Sequence, residues 1–167
     1  SPDKAWVTDT TFIATRQGWM YLAVVLDLFS RQVIGWAMGN KNDAILVKDA
    51  LTMAVYRRGK VSNVIVHSDQ GSTYASSAYQ QLLAEQQLIC SMSRKGECLD
   101  NAVAESFFQL LKRERIKRKI YSTRQDARAD VFDYIEMFYN PKRRHGFNNQ
   151  LSPVEFEKRH LLSLESV

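Results

Sequence analysis

The first third of the chain alternates like a set of strands. Residues 6–15 (WVTDTTFIAT), 21–27 (YLAVVLD) and 31–38 (RQVIGWAM) are rich in β-branched and aromatic side chains and lie close together in sequence. A three-stranded antiparallel meander is expected, with its first turn at Arg16-Gln17-Gly18. Over residues 42–58 the period changes. Val47, Ala50, Leu51, Ala54 and Val55 recur at helical spacing, and Gly59 stands where a helix ends. Residues 64–67 (VIVH) form a short apolar run suited to a buried strand, followed by a loop at 68–71. Ser76 or Ser77 is placed to cap a helix burying Tyr79, Leu82 and Leu83, and residues 88–92 read as a fifth strand. The polar stretch 93–100 (SRKGECLD) reads as a loop.

Two helices follow. One is expected over 101–118, with Val103, Phe107, Leu110 and Leu111 on one face. The next begins at Thr123, with Asp126 at capping-box spacing. It turns Ala127, Val131, Tyr134, Ile135 and Phe138 inward and stops before Pro141. A tail helix starts near Pro153. The order βββαβαβαα predicts one α/β domain over 1–167: a mixed five-stranded sheet, three antiparallel strands then crossover strands, flanked by helices.

Composition narrows the class. With 167 residues, 45% hydrophobic and 25% charged, the chain is neither collagen-like nor disordered. No apolar run is long enough to cross a bilayer and no leader precedes the first strand, so a cytoplasmic location is expected. Cys90 and Cys98 have no histidine pair at zinc-binding spacing, so free thiols are expected. The net charge of +5 is concentrated late: residues 112–119 (KRERIKRK) hold six bases and one acid. Such a cluster fits a polyanion partner.

Three acids stand out. Asp9 lies mid-strand in an apolar and threonine-rich segment, where an uncompensated charge is costly. Asp69 follows the VIVH strand, at the edge where α/β sheets present their functional loops. Glu105 sits on the helix expected over 101–118, opposite its apolar stripe, and Lys112 lies almost two turns further along the same side. If these acids converge, their mutual repulsion calls for divalent cations such as Mg²⁺ or Mn²⁺. His67 is read as structural, Asp27 as a turn residue, and Gly71 as a left-handed glycine behind Asp69.

The segments WVTDTTFI, YLAVVLDLFSRQVIGWAM, VHSDQGSTY, SMSRKGECLDNAVAESFFQLLKRE, YSTRQDARADVFDYIEMFYNPKRRH and LSPVEFE resemble the catalytic core of bacterial insertion-sequence transposases. The group is the OrfB type, related to retroviral integrases. Asp69 and Glu105 have 35 residues between them, the D-D-35-E spacing of that group. Gln70, Glu97 and Leu99 depart from its common pattern in loops.

The resemblance implies an RNase H-like fold in which Asp9, Asp69 and Glu105 are catalytic and bind two Mg²⁺ ions. It also implies nicking of element-end DNA and transfer of the 3′-hydroxyl to another phosphodiester. Lys112, Arg94, Lys95, Lys142, Arg143 and Arg144 are the candidate contacts to double-stranded DNA, and synapsis of two ends implies a homo-oligomer at work. End recognition in the family comes from an upstream helix-turn-helix region, which nothing in this chain resembles. A bacterial, nucleoid-associated setting is expected. A tyrosine recombinase would leave the ordered acids unexplained, and a domesticated DNA-binding module would be expected to have lost one. A plain RNase H-type nuclease differs only in substrate.

Overall fold

The computed structural model describes residues 1–93 and 101–166. Three strands open the fold: β1 (Ala5–Thr15), β2 (Gly18–Asp27) and β3 (Val33–Gly39). Helix α1 (Ala44–Arg58) follows, then β4 (Ile65–Ser68), a one-turn helix α2 (Ser72–Ala75), α3 (Ser77–Glu85) and β5 (Ile89–Met92). The second half is helical: α4 (Ala102–Leu111), α5 (Arg124–Phe132) and α6 (Pro153–Glu165). The strands form one sheet in the order β3-β2-β1-β4-β5, antiparallel across β1, β2 and β3 and parallel from β1 through β4 to β5. This is the mixed sheet that the sequence pattern predicts.

Strand alternation splits the core in two. Leu22, Val24 and Leu26 of β2 face α4 and α5, while Ala23 and Val25 face α1. The second face is tight at Gly35 of β3, where an added Cβ would lie 2.2 Å from the Ala50 carbonyl oxygen of α1. Only glycine lets strand and helix approach that closely.

Both late helices depart from the expected regular α-helix. After Leu111 the chain continues as a π-helical turn, Lys112–Ile116, and ends on left-handed Lys117. The helix capped by Thr123 likewise becomes π-helical over Asp133–Tyr139, with the Asn140 N–H bonded to the Ile135 carbonyl five residues back. The wider turn delays the return to the core by one residue. Tyr139 is therefore buried and Phe138, the expected core residue, is 36% exposed.

The stripe of α4 is also rotated from expectation: Ala104, Phe107, Phe108 and Leu111 are buried, while Val103 and Leu110 are only partly covered. In β4, Val66 and Ser68 point inward but Ile65 is exposed beside its partner Ile89, because among the described residues no core residue of the α4–α5 layer reaches β4 or β5. The short helix α2 follows the expected loop at 68–71, in a stretch to which the sequence pattern assigned no element. Cys90 is a free, exposed thiol, and Cys98 lies outside the described residues.

Asp27 does more than shape a turn. It lies buried beside Ser30, Arg58 and Glu157, joining the end of β2 to α1 and α6. Burial and the neighbouring Glu157 push its carboxyl up to about 6, while Arg58 and Ser30 hold Glu157 below the usual carboxylate range.

Candidate active site

Parallel pairing between β1 and β4 covers only Ala5, Trp6 and Val7 of β1. Beyond Val7 the two strands part. Strand order reverses at this boundary, since β2 and β3 lie to one side of β1 and β4 and β5 to the other. Open α/β sheets bind their ligands at such a switch point, outside the carboxyl ends of the strands. Asp9 stands on β1 two residues past the last pair, and Asp69 directly follows the end of β4. Glu105 lies in the first turn of α4, where the helix N-terminus favours negative charge.

The three acids share an electrostatic environment. The Asp9 carboxyl is pushed up to about 6, mainly by burial, and the charges of Asp69 and Glu105 both add to the effect. The Thr10 N–H donates to Asp9 Oδ1 at 2.8 Å and opposes the shift. None of the three acids forms an ion pair among the described residues. Nor do any three His, Cys, Asp or Glu side chains among those residues gather closely enough to enclose a metal ion. The three acids are thus not closed around a single point.

Local hydrogen bonds hold two of the acids in place. The Gly71 N–H donates to Asp69 Oδ1 at 2.7 Å. Gly71 has φ −57, so the expected left-handed conformation is absent. The glycine is needed for space instead: a Cβ there would meet Asp69 Oδ1 at 2.8 Å. Asn101, at the start of α4, is buried near Asp9, whose carboxyl it helps to lower, and its Oδ1 has no partner among the described residues. Sequence reasoning used Asn101 only as the start of a helix; its side chain makes no capping bond.

The remaining candidates separate by geometry. His67 Nδ1 pairs with Ser91 Oγ at 2.9 Å on the neighbouring strand. Lys112 is exposed, its Nζ 5.6 Å from the centre of the Phe12 ring. Lys142 and Arg144 are exposed. Arg143 is tied to Glu114, Nε to Oε1 at 2.7 Å, and holds that carboxyl below its usual range. Arg94 and Lys95 lie outside the described residues.

This arrangement can be set beside known proteins. The chain matches the integrase core domain over residues 1–98, and a second integrase core domain description over 105–161. The chain belongs to the integrase core domain family. It is 49% identical over 160 residues to the transposase InsF for insertion sequence IS3A of Escherichia coli (strain K12), covering 96% of this chain and 56% of that protein. It is 44% identical over 158 residues to the transposase for insertion sequence element IS904 of Lactococcus lactis subsp. lactis (strain IL1403), covering 95% of this chain and 62% of that one.

The chain therefore spans little more than half the length of these relatives. Among solved structures, the simian T-cell lymphotropic virus intasome in complex with PP2A regulatory subunit B56 gamma superposes with TM-score 0.76 at 16% identity, over 93% of this chain and 54% of that one. The HTLV-2 integrase catalytic core domain in complex with magnesium (trimeric form) gives TM-score 0.67 at 15% identity, over 93% and 96% of the two chains. These likenesses establish the RNase H-like fold of an integrase core. No described helix is long and apolar enough to cross a membrane.

Proposed function

We propose that this integrase core is the catalytic domain of a DNA transposase that nicks element-end DNA and joins the freed 3′-hydroxyl to another phosphodiester. What supports the reading is that Asp9 on β1, just past its pairing with β4, is shifted by the charges of both Asp69, after β4, and Glu105, on α4. The donor set suits a hard cation: three carboxylates without a basic counterpart among the described residues, and the unpartnered Asn101 Oδ1 beside them. Asp9, Asp69 and Glu105 would hold Mg²⁺, two ions by the family resemblance, with Mn²⁺ able to substitute. An open set is what Mg²⁺ uses when substrate phosphate completes its shell. Bound divalent ions would acidify the attacking water or 3′-hydroxyl and stabilise the departing 3′-oxygen.

The protein's own groups supply position. Gly71 N–H fixes the Asp69 carboxylate, Thr10 N–H orients Asp9, and α4 presents Glu105 toward solvent where a strand can approach. Lys112, Lys142 and Arg144 are free to contact DNA phosphates, which positions a duplex without reading its sequence. Arg94 and Lys95, in the segment leading into α4, complete the candidate set by the family resemblance. Element ends and target are the DNA partners, and joining two ends requires more than one copy at work.

The test is Asp69→Asn and Glu105→Gln, assayed with labelled element-end DNA with and without Mg²⁺. Both variants should keep duplex binding and melting temperature yet lose nicking and joining. Full activity in either would remove the mechanism.

A further inference from the structure

Beyond Glu105, α4 leads into a groove of about 740 Å³ whose floor and rim differ sharply in character. Its floor includes Phe12 and Trp19, packed edge to face with ring centres 4.9 Å apart. Both rings are unusually open, 54% and 51% exposed. Its rim carries Lys112, Arg113, Lys117, Arg118 and Lys119, and among the described residues no acid lines it.

The local fold sorts the basic octet to produce this one-sided rim. Glu114 turns away to Arg143 and Tyr134, and Arg115 turns away to Asp130 and Asp133. The π-helical turn and the left-handed residues Lys117 and Arg118 then fold the last three bases back over the groove. Lys119 also approaches Asp130, but only at 3.9 Å.

An apolar protein segment would gain nothing from five bases around two exposed rings. A duplex would satisfy the bases and leave the rings idle, because paired bases are already stacked. A strand with unpaired bases satisfies both at once, since aromatic rings stack on any base face and the bases neutralise phosphates. We propose that this groove binds unpaired nucleotides of a DNA strand, with bases stacked on Phe12 and Trp19 and phosphates held by the rim of residues 112–119. The groove begins at Lys112, seven residues along the helix from Glu105, or roughly 10 Å at helical rise. That is about three nucleotides at the spacing of one strand. Resting on the function proposed above, the groove would then hold frayed nucleotides flanking the phosphodiester under attack.

Trp19 supplies its own readout. The other two tryptophans, Trp6 and Trp36, are 0% and 7% exposed, so quenching by a stacked base reports on Trp19. The chain is titrated with a short oligothymidylate, an abasic oligomer of equal charge and a blunt duplex, in EDTA so that no reaction proceeds. The oligothymidylate should quench the emission saturably and bind on the order of five- to a hundred-fold more tightly than the abasic strand. Trp19→Ala and Phe12→Ala should each erase most of that difference at unchanged melting temperature, while Trp19→Phe restores it.

Equal binding of thymidylate and abasic strands would overturn the proposal. So would preference for the duplex, or self-association that depends on Trp19 and excludes the oligomer. This binding is read in EDTA, where no nicking occurs, so its failure is distinguishable from loss of nicking, which tests the catalytic reading.

Discussion

Gly71→Ala separates the positioning of Asp69 from the stability of the fold. Gly71 sits at φ −57 and ψ 150, a conformation alanine adopts without strain. Removing a glycine from a compatible site stabilises by about 0.4–1 kcal/mol, because the unfolded chain loses freedom. The new methyl carbon, however, would stand 2.8 Å from Asp69 Oδ1. Ordinary contact needs about 3.4 Å, so the carboxylate must retreat by roughly half an ångström, close to the tolerance of a catalytic constellation. The side chain can make that move cheaply, which is why folding should not suffer.

Misplacement by about 1 Å costs on the order of a hundred-fold in rate, so a loss of about ten- to thirty-fold is expected here. Single-turnover nicking of end DNA at saturating Mg²⁺, beside a thermal melt of the same preparation, measures both effects. Wild-type nicking at an unchanged melting temperature would show that the Asp69 carboxylate tolerates displacement. The case for its role would then fail.

Asp9→Asn removes a charge that burial makes costly and that the other two acids only add to, so in EDTA it should raise stability by about 1–2 kcal/mol, or roughly 2–6 °C in melting temperature, while abolishing nicking. A lower melting temperature would contradict the electrostatic account. Gly35→Ala should do the reverse, costing about 1–3 kcal/mol or more in a denaturant titration, because its Cβ falls on the Ala50 carbonyl; a neutral result would mean that β3 and α1 can separate freely. His145 is pushed down to about 4 by burial and by the charges of Arg143 and Arg31, against the weaker pull of Glu114. Between pH 6.5 and 4 the unfolded chain takes up this proton and the folded one does not, so the contribution to stability is lost as pH falls. The span bounds the loss at about 3.4 kcal/mol, and partial solvent exposure cuts it to roughly 1–2 kcal/mol. Against wild type, His145→Phe should remove that part of the acid slope, and an identical slope would refute it. Lys112→Ala should weaken duplex binding at low salt and flatten its salt dependence by about one counterion; an unchanged slope would confine Lys112 to its Phe12 contact.

Periodicity made the sheet, its mixed topology and the caps at Ser76 and Thr123 readable, because each depends on a local pattern. It misplaced Phe138 and Tyr139, since a π-helical turn leaves no mark in a pattern read at 3.6 residues per turn. Asp9, Asp69 and Glu105 were visible through strand position and the spacing of a known family. Their supports were not. Asn101 marked only where a helix begins, and Gly71 looked like a backbone requirement when it is a steric one. The Asp27, Arg58 and Glu157 group joins residues far apart in sequence, so no local window could assemble it.

That buried group also explains what singles out the other acids. Asp27 and Asp9 are both pushed up to about 6, and burial is the main cause in each. Around Asp27 the fold supplies Arg58, within 3.5 Å of its carboxylate and salt-bridged to Glu157 as well. The charge is thereby balanced and the acids become a clasp between β2, α1 and α6. Around Asp9 the fold supplies two more carboxylates and, among the described residues, no cation, although the chain carries 23 basic residues. Five of those bases were instead gathered on the groove beyond α4. A chain with this surplus of positive charge could neutralise the β1–β4 boundary with one arginine, as it does for Asp27. Leaving it negative costs stability, and that cost is intelligible if the missing positive charge arrives with the substrate as divalent cations.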